Sequence, residues 1–177
     1  DLHGQSTTYK NIFIYKSADE WRSNGEKGYF KSNGSKIITN QGDTFYVTNT
    51  NAQIDLENND IVNNDDNGNL LRIQKDSWGT LGYNGGSVVF NATNQILNGN
   101  IVVDAISTLE MNLSSSAYTG SINSANTAKS IKLKLDSSSK MKLTGDCYVT
   151  SLDNAISNNS NIDFNGHKLY VNGVAVN

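Results

Sequence analysis

The stretch that decides the fold runs from Leu109 to Gly145 and reads LEMNLSSSAYTGSINSANTAKSIKLKLDSSSKMKLTG. Apolar and polar residues alternate in two matching runs, one ending at Leu113 and the other at Leu135, a step of 22 residues. A shorter apolar run and a glycine follow each of them after a polar gap. Period-two alternation predicts short β-strands with one buried face, and a repeat of this length predicts that matching strands stack on one another.

The same pattern extends in both directions from this stretch. Phe90 lies 23 residues before Leu113 and predicts a copy upstream, while residues 162–173 form the last copy. Three short strands per turn of about 22 residues are typical of a right-handed parallel β-helix, or solenoid, in an all-β fold class. We expect a single domain over residues 1–177, with coils in residues 35–177. Residues 1–34 fit the repeat poorly and predict a non-repeating cap, an extension, or a continuation of upstream coils.

Composition agrees with stacked strands joined by tight corners. The chain has 27 asparagines, 15 glycines and no proline. Proline lacks the backbone N–H that a ladder of strands needs, whereas asparagine and glycine tolerate the left-handed backbone of corners. Asn-Gly pairs at residues 33–34, 67–68, 84–85, 98–99, 165–166 and 172–173 are therefore predicted corners.

Charge and cysteine content exclude several classes of function. A formal net charge of -3, from 14 basic and 17 acidic residues, does not predict a nucleic-acid surface. The sequence has no run of 18 apolar residues, so membrane insertion is not predicted either. The single Cys147 cannot form an internal disulfide, and His3 and His167 stand far apart, so neither a stapled fold nor a zinc enzyme is predicted.

Residues 75–86 interrupt the strand pattern and predict a glycine-rich loop that leaves one corner. Trp78 and Tyr83 in this loop are candidate platforms for a carbohydrate, because aromatic rings stack on the apolar faces of sugar rings. Asp76 and Asn84 beside them are candidate partners for sugar hydroxyl groups. The alternative for Trp78 is that it folds back as a lid over the wall of the coils.

Residues 63–68 read NNDDNG and resemble the start of a calcium-binding loop, in which oxygen-bearing side chains precede a glycine. No cofactor is required by the sequence, and Ca²⁺ is a candidate ligand. A solvated corner between strands has the same composition and is the alternative. The candidate calcium ligands are Asp60, Asn63, Asp65, Asp66 and Asn67.

The C-terminal half carries a resemblance to a known group of proteins. The runs at residues 97–104, 113–122 and 135–152 resemble coils of right-handed parallel β-helix surface and secreted proteins of bacteria, including adhesins and autotransporter passengers. Residues 165–173 are similar to the terminal coil of secreted clostridial carbohydrate-binding β-helix proteins. The resemblance implies a non-catalytic module that holds a polysaccharide or a host glycan.

We therefore expect a carbohydrate-binding module with no enzymatic activity. One alternative is a stalk or adhesin segment that contacts other surface-protein segments, and another is a polysaccharide lyase or hydrolase. The chain begins at Asp1 without an initiator methionine or a signal-like segment. We expect a fragment of a secreted or cell-surface bacterial protein whose signal and anchor lie outside it.

Overall fold

The protein has an all-β fold with parallel sheets, seen in a computed structural model that describes residues 10–17 and 26–176. These two ranges contain no helix, and thus none long and apolar enough to cross a membrane. The strands in them are β1 (Lys10–Tyr15), β2 (Lys27–Asn33), β3 (Lys36–Thr39), β4 (Asp43–Thr48), β5 (Thr50–Glu57), β6 (Asp60–Asn63), β7 (Leu71–Ile73), β8 (Gly86–Thr93), β9 (Ile96–Asn98), β10 (Ile101–Val103), β11 (Thr108–Ser114), β12 (Ala117–Gly120), β13 (Ser130–Leu135), β14 (Lys140–Leu143), β15 (Cys147–Val149), β16 (Ser151–Asn154), β17 (Ile162–Asp163), β18 (Leu169–Val171) and β19 (Val174–Ala175).

Consecutive strands lie mostly in different sheets, and the chain returns repeatedly to the same one. The largest sheet has six strands in the order β16-β13-β11-β8-β5-β2. The others have the orders β1-β4-β7-β10, β17-β14-β12-β9, β15-β18-β19 and β3-β6. Neighbouring strands are parallel throughout the described residues, except that β19 runs antiparallel to β18. Parallel pairing of this kind requires a crossover between partners, and the intervening strands provide it.

The register confirms one predicted alignment and corrects another. Leu113 pairs with Leu135, as the step of 22 residues predicts. Phe90 does not pair with Leu113 but with Met111, because β8 and β11 are offset by 21 residues rather than 23. The two offsets differ by two residues and leave every side chain on the same face of its strand.

The described parts of residues 1–34 belong to the same sheets as the rest of the chain. β1 pairs in parallel with β4, and β2 pairs in parallel with β5 over its full length. A non-repeating cap is therefore wrong for these strands, since each continues a sheet. Residues 1–9 and 18–25 lie outside the described residues.

Inward-facing side chains from all the long strands form one apolar cluster. In β13 the leucines and isoleucine are buried while Lys132 and Lys134 are exposed, which is the alternation the sequence predicts. Cys147 belongs to this cluster, as its residue type predicts. Burial raises the pKa of its thiol to about 11, so the group is protonated at neutral pH and packs as an apolar side chain.

Corners between strands depend on left-handed backbone, but less on Asn-Gly pairs than predicted. Asn58, Asn94 and Ser115 follow β5, β8 and β11 with φ of 54°, 49° and 49°. The Asn94 amide donates a hydrogen bond to the Asn58 amide oxygen. Among the Asn-Gly pairs, φ is positive at both residues of 165–166 and 172–173, at the glycine alone of 33–34 and 98–99, and at neither residue of 67–68 and 84–85.

Candidate functional site

A loop of residues 74–85 leaves the stack between β7 and β8 and is fastened to β1 by Trp78. The indole Nε1 donates a hydrogen bond to the Lys16 carbonyl at 2.9 Å. The indole ring also meets Phe13 and Tyr15 edge to face, with centroids 6.1 and 5.9 Å away. Trp78 is thus half-buried, which corresponds to a lid over the strand wall rather than to an exposed platform.

The start of the loop is held by an ion pair inside a group of aromatic rings. The Lys10 ammonium lies 2.5 Å from Asp76 Oδ2 and 4.6 Å from the centre of the Tyr46 ring, with Phe13 and Trp78 close by. The Tyr46 hydroxyl donates to the same Asp76 oxygen at 3.2 Å. Burial, reinforced by the charge of Asp76, raises the pKa of Tyr46 to about 12 and keeps it a donor. Asp76 is therefore engaged in fixing the loop.

Acid is expected to weaken the attachment of this loop. Burial alone would raise the pKa of Asp76, but hydrogen bonds from Lys10, Ser77 and Tyr46 outweigh burial and leave the pKa below its usual 3.8. A lowered pKa in the folded state gives stability that is complete above about pH 4 and is lost as the pH falls through the folded-state pKa. We expect a loss of about 1 kcal/mol between pH 5 and pH 2, the size typical of a partly exposed ion pair.

The measurement is the midpoint of urea unfolding at each pH, read from Trp78 fluorescence in a Trp21→Phe background. The matched control is Asp76→Asn in the same background, which cannot titrate at this position. We expect the acid-induced shift of the midpoint to be smaller in the control. Equal shifts in the two proteins would contradict a role for the Asp76 carboxylate.

Asn84 joins the end of the loop to its beginning, and the tip of the loop extends into solvent. The Asn84 residue is only 3% exposed, and its Nδ2 donates to the carbonyls of Asp76 and Trp78 at 2.9 and 2.8 Å. The Tyr83 N–H donates to the Thr80 carbonyl at 2.9 Å and closes a turn at the tip. Tyr83 is 85% exposed. Of the four residues predicted to contact a carbohydrate, Tyr83 is the one that the structure leaves exposed to solvent.

Tyr83 stands at the wall of a cleft of about 540 Å³. The floor is formed by residues at the beginning of three neighbouring strands of the six-stranded sheet, namely Thr50 and Asn51 on β5, Gly86 and Ser87 on β8, and Thr108 on β11. The remaining lining residues are Lys16, Glu26, Asn49, Thr80, Gly85, Ile106 and Lys129. A cleft lined by one exposed aromatic ring and by amide and hydroxyl groups can hold a polar, ring-shaped ligand.

The floor residues escape prediction from the sequence because Asn, Ser and Thr occur everywhere in this chain. The feature that these residues share is their position at the same end of neighbouring strands. Asn51 pairs with Ser87 and Ser87 with Thr108, so the three lie side by side at one end of three strands. Only the register brings them together, since β6, β7 and the loop separate Asn51 from Ser87, and β9 and β10 separate Ser87 from Thr108.

Three of the five candidate calcium residues make contacts within the protein through their side chains. Asp65 accepts hydrogen bonds from the backbone N–H groups of Gly42 and Asn67, which lower its pKa, and Asn63 Oδ1 accepts the Asp65 N–H. Asp60 lies 3.4 Å from the Lys36 ammonium on the neighbouring strand. Asp66 and Asn67 are exposed. Across residues 10–17 and 26–176, no three His, Cys, Asp or Glu side chains come close enough to hold a metal ion.

A scan against protein-family models, a search of curated proteins and a search of solved structures each found no match to this chain. The chemistry of the cleft is therefore the basis for a proposed function.

Proposed function

We propose that the protein is a non-catalytic carbohydrate-binding module that holds a polysaccharide or a glycan in the cleft beside Tyr83. The observation that carries the proposal is an exposed aromatic ring on a braced loop, which lines the same cleft as the neutral polar groups of Asn51, Ser87 and Thr108. A sugar ring has an apolar face and a rim of hydroxyl groups, and this cleft offers one partner for each. Such sites bind weakly one by one and gain strength by repetition.

The bracing of the loop favours binding over a passive role for Tyr83. Trp78, Asp76 and Asn84 fix the base of the loop through five hydrogen bonds to β1, β4 and the loop itself. A loop whose base is already fixed loses less conformational freedom when a ligand stacks on a ring that it carries. Trp78, Asp76 and Asn84, which the sequence predicts to touch the ligand directly, thus instead stabilise the loop that carries Tyr83.

The charged groups of the cleft favour a module without catalytic activity. Glycoside hydrolysis uses two carboxyl groups on either side of the scissile bond. Among the described lining residues, Glu26 is the one carboxylate, and it shares the cleft with Lys16 and Lys129. Assays for new reducing ends and for unsaturated products separate this proposal from a hydrolase or a lyase, because a binding module produces neither.

Loss of the Tyr83 ring is expected to abolish most binding. Tyr83→Ala should weaken retention on an insoluble polysaccharide by at least about tenfold, because the variant removes the stacking surface and leaves only polar contacts. The measurement is a depletion isotherm on cellulose, xylan, chitin and peptidoglycan, preceded by a glycan array to select the ligand. Tyr83→Phe, which keeps the ring, should retain most of the affinity.

Leu81→Ala is the matched control for this experiment. Leu81 is 83% exposed at the tip of the same loop and offers no aromatic face. We expect its affinity to equal that of the unmodified protein. Equal affinity of Tyr83→Ala and Leu81→Ala, or no binding to any glycan tested, would count against the proposal.

The proposal extends to the architecture and to the setting of the module. A right-handed parallel β-helix with coils of about 22 residues accounts for the parallel register and for the return of the chain to one sheet. We place the module in a secreted or cell-surface bacterial protein, in line with the sequence resemblance. Binding should not depend on calcium, because none of the candidate calcium residues lines the cleft beside Tyr83, and EDTA should leave retention unchanged.

A further inference from the structure

The floor of the cleft continues as a row of uncharged polar side chains that crosses the six-stranded sheet from strand to strand. Asn51, Ser87, Thr108 and Ser130 are successive partners in register on β5, β8, β11 and β13. A second, smaller cleft of about 290 Å³ is lined by Ser87, Thr108 and Ser130, with Glu110 and Lys132 at its side, so the two clefts share residues and meet along this row. The ladder, as we call these four residues, therefore lies along one continuous depression.

The spacing of the ladder is fixed by the backbone and not by the side chains. Neighbouring strands lie about 4.8 Å apart, so four successive positions span about 14 Å. The hydroxyls of Ser87 and Thr108 lie 2.9 Å apart, which shows that adjacent members point to the same side of the sheet. One amide and three hydroxyl groups thus offer uncharged donors and acceptors at a regular interval.

From this geometry we infer that the ligand is a linear, uncharged polysaccharide that lies in an extended conformation along the ladder, perpendicular to the strands. One pyranose unit in an extended 1,4-linked chain is close in length to the spacing between strands. Successive sugar units can therefore meet successive members of the ladder, whereas a chain laid along a strand would meet a different residue type at each step. The inference rests on the proposed function and adds the shape, direction and length of the ligand.

The ladder is bounded at its two ends, which sets the length of chain that it can hold. Beyond Asn51 the next partner in register is the charged Lys27, and β13, which carries Ser130, is followed in the sheet by β16. β16 begins at Ser151, which pairs with Lys132, so it has no strand residue beside Ser130. Four sugar units are accordingly the longest segment with a neutral strand residue beneath every unit.

The test is the dependence of affinity on chain length. Titration calorimetry with β-1,4-linked glucose, xylose and N-acetylglucosamine oligomers of one to six units should show tightening with each unit up to the fourth and a plateau beyond it. One added hydrogen-bonded unit is expected to tighten the dissociation constant about three- to tenfold. A dissociation constant that does not change with length, or tighter binding of polygalacturonate oligomers or α-1,6-linked dextran oligomers, would overturn the inference.

A blocking variant tests the direction of the chain. Ser87→Arg places a long side chain in the middle of the ladder and should limit the length dependence to two units. Thr93→Arg is the matched control, because Thr93 is also exposed and lies at the other end of the same strand, and it should keep the full dependence. Circular dichroism of both variants verifies that the fold is intact.

The two proposals fail in different ways. If Tyr83→Ala weakens binding but Ser87→Arg and chain length have no effect, the cleft binds a glycan and the ladder inference is wrong. If no oligomer binds and Tyr83→Ala changes nothing, both proposals are wrong. If length dependence is present and is truncated by Ser87→Arg alone, the ladder is the binding surface.

Discussion

Phe90→Ala is expected to lower the free energy of unfolding by about 3–5 kcal/mol, the usual cost of removing a fully buried phenylalanine ring. Phe90 is 0% exposed at the centre of β8, between Ile54 on β5 and Met111 on β11. Its ring also meets Phe45 edge to face at 6.1 Å, so the cavity would open onto a second sheet. Neighbouring strands are tied by backbone hydrogen bonds and cannot close in to fill that cavity.

Urea unfolding followed by far-UV circular dichroism measures this loss. Val89→Ala is the matched control, since Val89 is the preceding residue of β8 and faces outward with part of its side chain in solvent. We expect the control to cost less than about 1 kcal/mol. Equal costs for the two variants would mean that Phe90 is not a central element of the core.

Arg72→Met is the second substitution with a large expected effect, of about 3–5 kcal/mol. The Asp43 side chain is 2% exposed, and its Oδ2 lies 2.6 Å from Arg72 Nε. Oδ1 accepts hydrogen bonds from the backbone N–H and the side-chain amide of Asn69, which remain in the variant. Methionine matches the arginine stem in volume but leaves the buried carboxylate without its cation.

The double variant Asp43→Asn with Arg72→Met separates the lost charge from the lost packing. The amide introduced by Asp43→Asn keeps an acceptor for the Asn69 backbone and carries no charge. We therefore expect the double variant to regain most of the stability lost by Arg72→Met. Thermal and urea unfolding of the double variant and the two single variants measures the difference. A double variant as unstable as the sum of the two single variants would show that the ion pair is not the source of the effect.

The sequence predicts which face of each strand is buried much better than it predicts how strands pair. Alternation in residues 131–135 correctly assigns the inward and outward side chains. The sequence repeat aligns Phe90 with Leu113, two residues from its true partner Met111. A shift of two residues keeps the same side chains facing inward, so the alternation of apolar and polar residues cannot distinguish the two alignments. The sequence separation of paired residues is larger between β5 and β8 than the repeat of about 22 residues, since Asp55 and Asn91 are 36 residues apart across the inserted loop.

The candidate site was predicted by residue type, whereas its geometry depends on partners that are distant in the sequence. Trp78 and Tyr83 are both aromatic residues in a glycine-rich loop, and nothing within that loop distinguishes them. Trp78 is half-buried because the segment at β1, 62 residues away, supplies the Lys16 carbonyl and two aromatic rings. No local pattern reveals that contact, just as no local pattern reveals the ladder beneath Tyr83.

The reversal of direction at β19 has a consequence for the behaviour of the protein in concentrated solution. An uncovered strand edge presents a row of unsatisfied amide and carbonyl groups that can recruit a strand from a neighbouring molecule. β19 turns back at Asn172 and Gly173 and satisfies that edge of β18 from within the chain. With only two residues of its own in strand conformation, β19 offers a short template for a further strand at this edge of the three-stranded sheet.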